Sequence, residues 1–181
     1  MKKFLLNLIL ALVIVMTATV SSFASTKNQL NHDFMIYTNE IDSETKKIIK
    51  DNEKDLEALD KIFKDAKEKN KAVDKKAIDV LVKDIEVKNK ELMNFLTKTD
   101  AKLKTKEFKA LLKNTIKLLD LRFKFTREII DHTVKNGKLD KDENAAILNK
   151  YGPEFTKIGQ TSAEIFNEIN RVLGKDITKE K

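Results

Sequence analysis

Two histidines, His32 and His132, are the side chains best suited to bind a metal ion or move a proton near neutral pH. A di-iron helical bundle needs a glutamate three residues before its histidine, but Gln29 and Ile129 hold those positions. The zinc-protease spacing, with two histidines four residues apart, does not occur in the sequence either. A haem held by histidine and methionine could use Met35 or Met93, but methionines in helical proteins mostly serve packing. The sequence therefore predicts no metal site and no cofactor.

Residues 136–143 resemble the second half of a calcium-binding loop, with a glycine at the sharp turn and acids at Asp140 and Glu143. The first and third ligand positions fall on His132 and Val134, which lack the oxygen ligands that Ca²⁺ requires. A helix end followed by a capping box explains the same residues without a metal ion. We therefore expect a helix boundary here.

Groups for nucleophilic or acid–base catalysis are sparse. Only Ser25, Ser43 and Ser162 follow the N-terminal segment, and none lies in a Gly-x-Ser-x-Gly turn. Phosphate-binding glycine loops are absent, and the chain has no tryptophan and two tyrosines with which to bind sugar rings. The sequence predicts a protein without enzymatic activity.

Lysines carry the strongest chemical signal, which is attraction to anions. Residues 98–117 contain seven lysines and two acids. If a helix begins near residue 101, one row along its surface holds six of the chain's lysines: Lys102, Lys106, Lys109, Lys113, Lys117 and Lys124. Like charges one turn apart destabilise a helix, and cations near its N-terminus oppose its dipole. A lysine row that is present despite both of these destabilising effects predicts an anion-binding face. The alternative is a face that only keeps the protein soluble.

The net charge of +7 also favours anionic partners. Lysine attracts phosphate as a point charge, so the row suits an anionic cell-wall polymer, lipid headgroups or an acidic protein. The row lacks the interleaved aromatic residues and arginines that recognise bases, so we expect no specific nucleic-acid partner. The sequence gives no indication of the oligomeric state.

The first 24 residues have the pattern of a secretory signal peptide. Lys2 and Lys3 precede an apolar run over 4–20, and small residues form a cleavage pattern that ends at Ala24. The prediction is an exported protein; the alternative is an uncleaved anchor, because the run approaches the length that spans a bilayer. The chain has no cysteine, so we expect neither disulfides nor a lipid on an N-terminal cysteine, and no C-terminal anchor is indicated.

The segment 106–134 must position the lysine row. Its apolar residues cover about half of a helical circumference, wide enough to contact two or more neighbours, so we expect it to be the hub of the fold. These residues are Phe108, Leu111, Leu112, Ile116, Leu118, Leu119, Phe123, Phe125, Ile129, Ile130 and Val134. Leu121 falls among the charges of the other side, and Arg122 falls inside the apolar arc. We expect Arg122 to reach solvent or to pair with an acid on another helix; a buried, ligand-binding guanidinium is the alternative.

Helical periodicity predicts three further segments. Residues 28–68 keep one apolar stripe and should form a single long helix; the alternative is that Asp42-Ser43 caps a new helix and divides the segment in two. A second helix, capped by Asp74, covers 74–97, and the last is broken at Gly152-Pro153. Neither glycine nor proline separates 74–97 from 101–135, so the sequence leaves open whether these are two helices.

The predicted fold is all-α, an elongated antiparallel bundle of about four long helical segments after the signal peptide. One domain is expected at 25–174, with a frayed charged tail at 175–181. The predicted function is that of an exported, non-enzymatic interaction module. The alternative is a membrane-active bundle that binds lipid or forms pores by opening its amphipathic helices onto lipid.

Overall fold

Helices make up nearly all of the structure, a computed structural model that describes residues 25–69, 71–136 and 141–174. Four helical rods pack against one another, and no β-strand occurs among the described residues. The prediction of an all-α bundle is therefore confirmed. Within the same ranges, no helix combines the length and the apolar composition needed to cross a membrane. The predicted signal peptide at 1–24 and tail at 175–181 lie outside the described residues.

The first rod is one continuous helical path, as predicted. It consists of α1 (Lys27–Ile36), a π-helical turn (Tyr37–Asp42) and α2 (Ser43–Glu68). The Thr26 hydroxyl accepts a hydrogen bond from the Gln29 N–H, and the Gln29 side chain bonds back to the Thr26 N–H. This capping box provides hydrogen-bond partners for backbone N–H groups at the start of α1 that have none within the helix.

The second and third rods are separate helices, which answers the question that the sequence left open. Helix α3 spans Lys75–Asp100 and α4 spans Lys106–Asn136. The Asp74 carboxylate accepts a hydrogen bond from the Ala77 N–H at 3.0 Å and so caps α3, as predicted. Helix α3 continues to residue 100 rather than 97, and a turn over 101–105 then leads into α4.

The fourth rod is helix α5, Lys141–Leu173, and it runs unbroken through Pro153. The prediction of a break at Gly152-Pro153 is therefore wrong. Proline has no backbone N–H, so the carbonyl of Asn149, four residues earlier, loses its partner within the helix. Asn149 and Pro153 are both exposed, so this carbonyl can bond to water instead. Buried side chains on both sides of the proline, Ile147 and Phe155, hold the helix in place. Gly174, with φ of 71°, ends the rod as predicted.

Helix α4 contributes to all three clusters of buried apolar side chains, which confirms its predicted place as the hub. Four residues of its N-terminal half pack with side chains from all the other rods: Phe108, Leu111, Leu112 and Leu119. Further along, Ile130 packs with α2 and α3, and Phe125 packs with α5. Full burial of such a side chain stabilises the fold by about 1.5–3 kcal/mol.

Leu121 corrects the predicted edge of the apolar arc. The sequence placed this residue among the charges of the solvent side, but only 7% of it is exposed. It lies in the cluster that includes Phe155 and Ile158 of α5. Helix α5 thus covers a flank of α4 that was assigned to water. At 100° per residue, the apolar arc extends about 40° beyond its predicted edge at Phe125.

Candidate anion-binding face

Asp33 fixes the point at which α4, and with it the lysine row, begins. Its Oδ2 atom accepts hydrogen bonds from the Lys104 N–H at 2.8 Å, the Thr105 N–H at 2.7 Å and the Thr105 hydroxyl at 2.8 Å. The Thr105 hydroxyl in turn accepts from the Phe108 N–H at 3.4 Å, and so caps α4. Asp33 is fully buried in α1, so the start of α4 is tied to the first rod.

The charge state of Asp33 follows from two opposing effects. Burial raises the pKa of this carboxyl, whereas hydrogen bonds from His32, Thr105 and Lys104 lower it, and the net result is a pKa below the ordinary value of 3.8. Asp33 is therefore ionised at neutral pH. The turn over 101–105 is held by charge-assisted hydrogen bonds.

Four lysines of α4 form one exposed row, which we call the lysine row: Lys106, Lys109, Lys113 and Lys117. At 100° per residue they occupy an arc of about 80°. They extend for about 17 Å along the helix, at 1.5 Å per residue. Within the described part of the chain, no carboxylate lies within ion-pair distance of any of the four. These ammonium groups are thus free to meet an external anion.

The other two predicted members, Lys102 and Lys124, are exposed but differ from the row. Lys102 lies in the turn before α4, so the expectation of a helix from residue 101 is wrong. Its Nζ pairs with Glu40 Oε2 at 2.5 Å. Lys124 Nζ pairs with Asp120 Oδ2 at 2.7 Å, and this hydrogen bond and charge raise the pKa of Lys124. Both are partly neutralised, unlike the lysine row.

Charge is distributed unevenly along the exposed side of α4. In its C-terminal half, Arg127 donates to Asp131 at 3.1 Å and to Glu86 of α3 at 3.1 Å. Lys124 and Arg127 of that half are therefore paired with acids, whereas the four lysines of the row are not. A group of four unpaired cations thus begins next to the turn that Asp33 holds.

Lys109 and Lys113 also border an open groove between α3 and α4 with a volume of ≈ 390 Å³. Leu112 and Ile116 provide apolar surface in this groove, but Asp100 stands on the α3 side. A carboxylate there repels anions at short range. The exposed row, rather than the groove, is therefore the surface suited to an anionic chain.

Of the two outcomes expected for Arg122, the pairing with an acid is not found in the described part of the chain, and the residue is only partly exposed. Among the described residues no carboxylate forms an ion pair with it, and its Nη2 atom is buried without a hydrogen-bond partner. Burial lowers the pKa of the guanidinium, against a weaker opposing effect from the charge of Glu53. Arg122, Asn52 and Asn89 line a cavity of ≈ 20 Å³, which is room for about one water molecule.

Neither histidine takes part in a metal site within the described ranges, where no group of three potential ligands occurs. His32 Nδ1 lies 2.9 Å from Asp33 Oδ1, and His132 Nδ1 lies 3.6 Å from Glu143 Oε1. The calcium-loop question falls mainly on residues 137–140, which lie outside the described residues.

Sequence reasoning missed Asp33 and Asn52, although a signal for each was available. Asp33 stands three residues after Leu30, on the apolar stripe of α1, where an acid is out of place. Asn52 stands four residues after Ile48 on the stripe of α2 and is 7% exposed. A polar residue at an apolar helical position indicates a buried hydrogen-bonding role.

Comparisons of the chain with protein-family models, with curated proteins and with solved structures find no match.

Proposed function

We propose that this chain is an exported, non-enzymatic interaction module that binds a phosphate-bearing polymer of the cell envelope through the lysine row. One observation carries the proposal: Lys106, Lys109, Lys113 and Lys117 are exposed on one arc of α4, and no described carboxylate pairs with them. Because like charges along one helix face destabilise the helix, a compensating external anion accounts for their placement.

A phosphate polymer fits the row better than the other anionic partners. The row contains neither arginine nor an aromatic residue, so it offers no stacking surface for bases. Successive lysines are three or four residues apart, which places their attachment points about 4.5–6 Å apart along the helix. A flexible chain of phosphate groups can follow such a ladder, and each contact releases counterions.

The bundle is proposed to be elongated and antiparallel, so that it presents the row on a long rigid surface. Pairs between α2 and α3 support the antiparallel order. Lys88 Nζ pairs with Asp55 Oδ2 at 2.7 Å, and Leu59, later in α2, packs in the same cluster as Val82, earlier in α3. Helix α2, with 26 residues, is about 39 Å long at 1.5 Å per residue.

Export is proposed from the pattern of residues 1–24, with cleavage after Ala24. A chain without cysteine is compatible with an oxidising compartment because it has no thiol to oxidise. Its stability then depends on the three apolar clusters and on buried polar contacts such as those of Asp33.

The test is binding of poly(glycerol phosphate) to a variant in which the four lysines of the row become glutamine. A lysine near an anionic surface contributes about 1 kcal/mol, so four should account for a roughly thousandfold loss of affinity. The matched control changes four exposed lysines that are dispersed over α2 and α3: Lys50, Lys61, Lys76 and Lys83. The two variants have the same net charge.

We expect the affinity of the control variant for the polymer to fall less than about tenfold. General electrostatic attraction depends on net charge, whereas binding by the row depends on where the lysines lie. Equal losses in the two variants would contradict the proposal. A second arm uses vesicles of phosphatidylglycerol. Leakage from these vesicles, together with weak binding to the polymer, would instead favour the membrane-active alternative.

A further inference from the structure

The serine that follows the proposed cleavage site is already bound to the start of α4. Ser25 Oγ donates a hydrogen bond to Oε2 of Glu107 at 2.7 Å. Glu107 lies in the first turn of α4 and is only 6% exposed, and Ser25 is half-buried. The residue that would become the N-terminus after processing is therefore held against α4, next to the lysine row.

The second carboxylate oxygen of Glu107 has no donor. Oε1 is buried and accepts no hydrogen bond within the part of the chain that the structure describes. A buried ionised carboxylate is unfavourable unless its oxygens are paired. In the uncleaved chain, the nitrogen of Ser25 is a neutral amide with a single N–H, which can supply no charge to this site.

We infer that removal of residues 1–24 completes this site, because it converts the Ser25 amide into an α-ammonium that pairs with Glu107. Water hydrolyses the peptide bond between Ala24 and Ser25; its oxygen becomes part of the Ala24 carboxylate, and its two hydrogens join the Ser25 nitrogen. The ammonium group has three N–H donors, and an α-amino group with an ordinary pKa of about 8 is mostly protonated at neutral pH. The inference rests on the export step of the proposed function.

Local geometry favours this pair. The nitrogen and Oγ of one serine are about 3 Å apart in a staggered rotamer, so an ammonium on Ser25 is within reach of the Glu107 carboxylate. The dipoles of α1 and α4 oppose a cation at their N-termini. That effect is smaller than the cost of leaving a buried carboxylate oxygen unpaired. The processed chain should therefore hold α1 against α4 more firmly than the precursor does.

The experiment compares two forms of the exported chain, one beginning at Ser25 and one in which the Ser25 amine is acetylated. We expect acetylation to raise the unfolding equilibrium constant roughly tenfold, the value of one charged hydrogen bond. In Glu107→Gln the effect of acetylation should disappear, whereas in the exposed control Glu91→Gln it should persist. An effect of equal size in Glu107→Gln, or no effect in the unchanged protein, would overturn the inference.

A second measurement needs no variant, so the inference remains testable if Glu107→Gln does not fold. Periodate oxidises an N-terminal serine selectively, and we expect this oxidation to be at least about tenfold slower in the folded chain than in urea. Equal rates would overturn the pairing, and so would an exported protein whose N-terminus, by mass spectrometry, is not Ser25. Polymer binding by the lysine row is measured separately, so the pairing of Ser25 with Glu107 and the binding of the polymer can each be refuted independently.

Discussion

Replacing Asp33 with asparagine tests whether a single buried charge holds the start of α4. Asparagine has nearly the same shape, so it removes the charge and also one of the two acceptor oxygens, the one that contacts His32. In the native chain, Oδ2 of Asp33 accepts three hydrogen bonds, from the Lys104 N–H, the Thr105 N–H and the Thr105 hydroxyl, at 2.7–2.8 Å. The variant can keep these contacts only as weaker, neutral hydrogen bonds.

The magnitude follows from these contacts. A hydrogen bond to a charged group contributes about 1.5–3 kcal/mol and a neutral one about 0.5–1.5 kcal/mol, a difference of about 1 kcal/mol for each bond. Three bonds give a loss of about 3 kcal/mol in the free energy of unfolding. For a chain of this size, that corresponds to a fall in Tm of about 6–12 °C.

The assay is urea unfolding of Asp33→Asn followed by circular dichroism at pH 7. Asp79→Asn is the matched control, because Asp79 is exposed on α3 and should change the free energy of unfolding by less than about 0.5 kcal/mol. If Asp33→Asn also remained within 0.5 kcal/mol of the unchanged protein, the buried charge would not hold the turn, and our account of how α4 is positioned would be refuted.

The pH dependence of the same variant supplies an independent check. The folded-state pKa of Asp33 lies below its ordinary value of 3.8, so its contribution to stability is complete above that pH and is lost as the pH falls through the folded pKa. The difference between the unchanged protein and Asp33→Asn should therefore be constant near neutral pH and should shrink below pH 3.8. A difference that grows on acidification would contradict the hydrogen-bonding network.

Two further substitutions test the interior of α4. Leu121→Ala should lower the free energy of unfolding by about 2–5 kcal/mol, because it removes a side chain packed against α5. A change below about 0.5 kcal/mol, measured by urea unfolding, would indicate that Leu121 faces solvent. Arg122→Met should leave stability unchanged or raise it by about 1–3 kcal/mol, since it removes a buried guanidinium that has no acid partner. A large loss of stability in Arg122→Met, measured in the same way, would mean that the guanidinium has a partner that stabilises it.

The sequence predicts the helices well where the apolar spacing decides the outcome. The long first rod and the hub position of α4 follow from stripes that keep their phase over many residues. The capping role of Asp74 is also local, because a carboxylate at that position can bond only to the N–H groups just ahead of it.

The errors occur where a distant contact overrides a local pattern. Leu121 stands near lysines in the sequence, but α5 covers that flank, and no local rule reveals which neighbour covers a flank. Pro153 ordinarily interrupts a helix, yet packing against α4 on both sides of it keeps α5 continuous. Asp33 and the turn that it binds are about seventy residues apart, so only the fold brings them together.

In the candidate site, too, the features set by local helical spacing could be predicted and a feature set by a distant contact could not. The exposure of the lysine row could be predicted from helical spacing. The pairing of Lys102 could not, because its partner Glu40 lies about sixty residues earlier, in the π-helical turn. The pair of Asp120 and Lys124 is one helical turn apart on α4, so the sequence did contain a signal for it. The exposed, unpaired part of the predicted row is therefore shorter than the sequence indicated.

The most direct test of the proposed function is the salt dependence of binding between the exported chain and poly(glycerol phosphate). Four lysine–phosphate contacts with a flexible chain predict that log K falls with log[NaCl] with a slope of about −2.8. The variant with glutamine at Lys106, Lys109, Lys113 and Lys117 should show a slope near zero, whereas the dispersed four-lysine control should keep most of the slope. A slope shallower than about −1 in the unchanged protein, or the same slope in both variants, would contradict the claim that the lysine row is the binding surface.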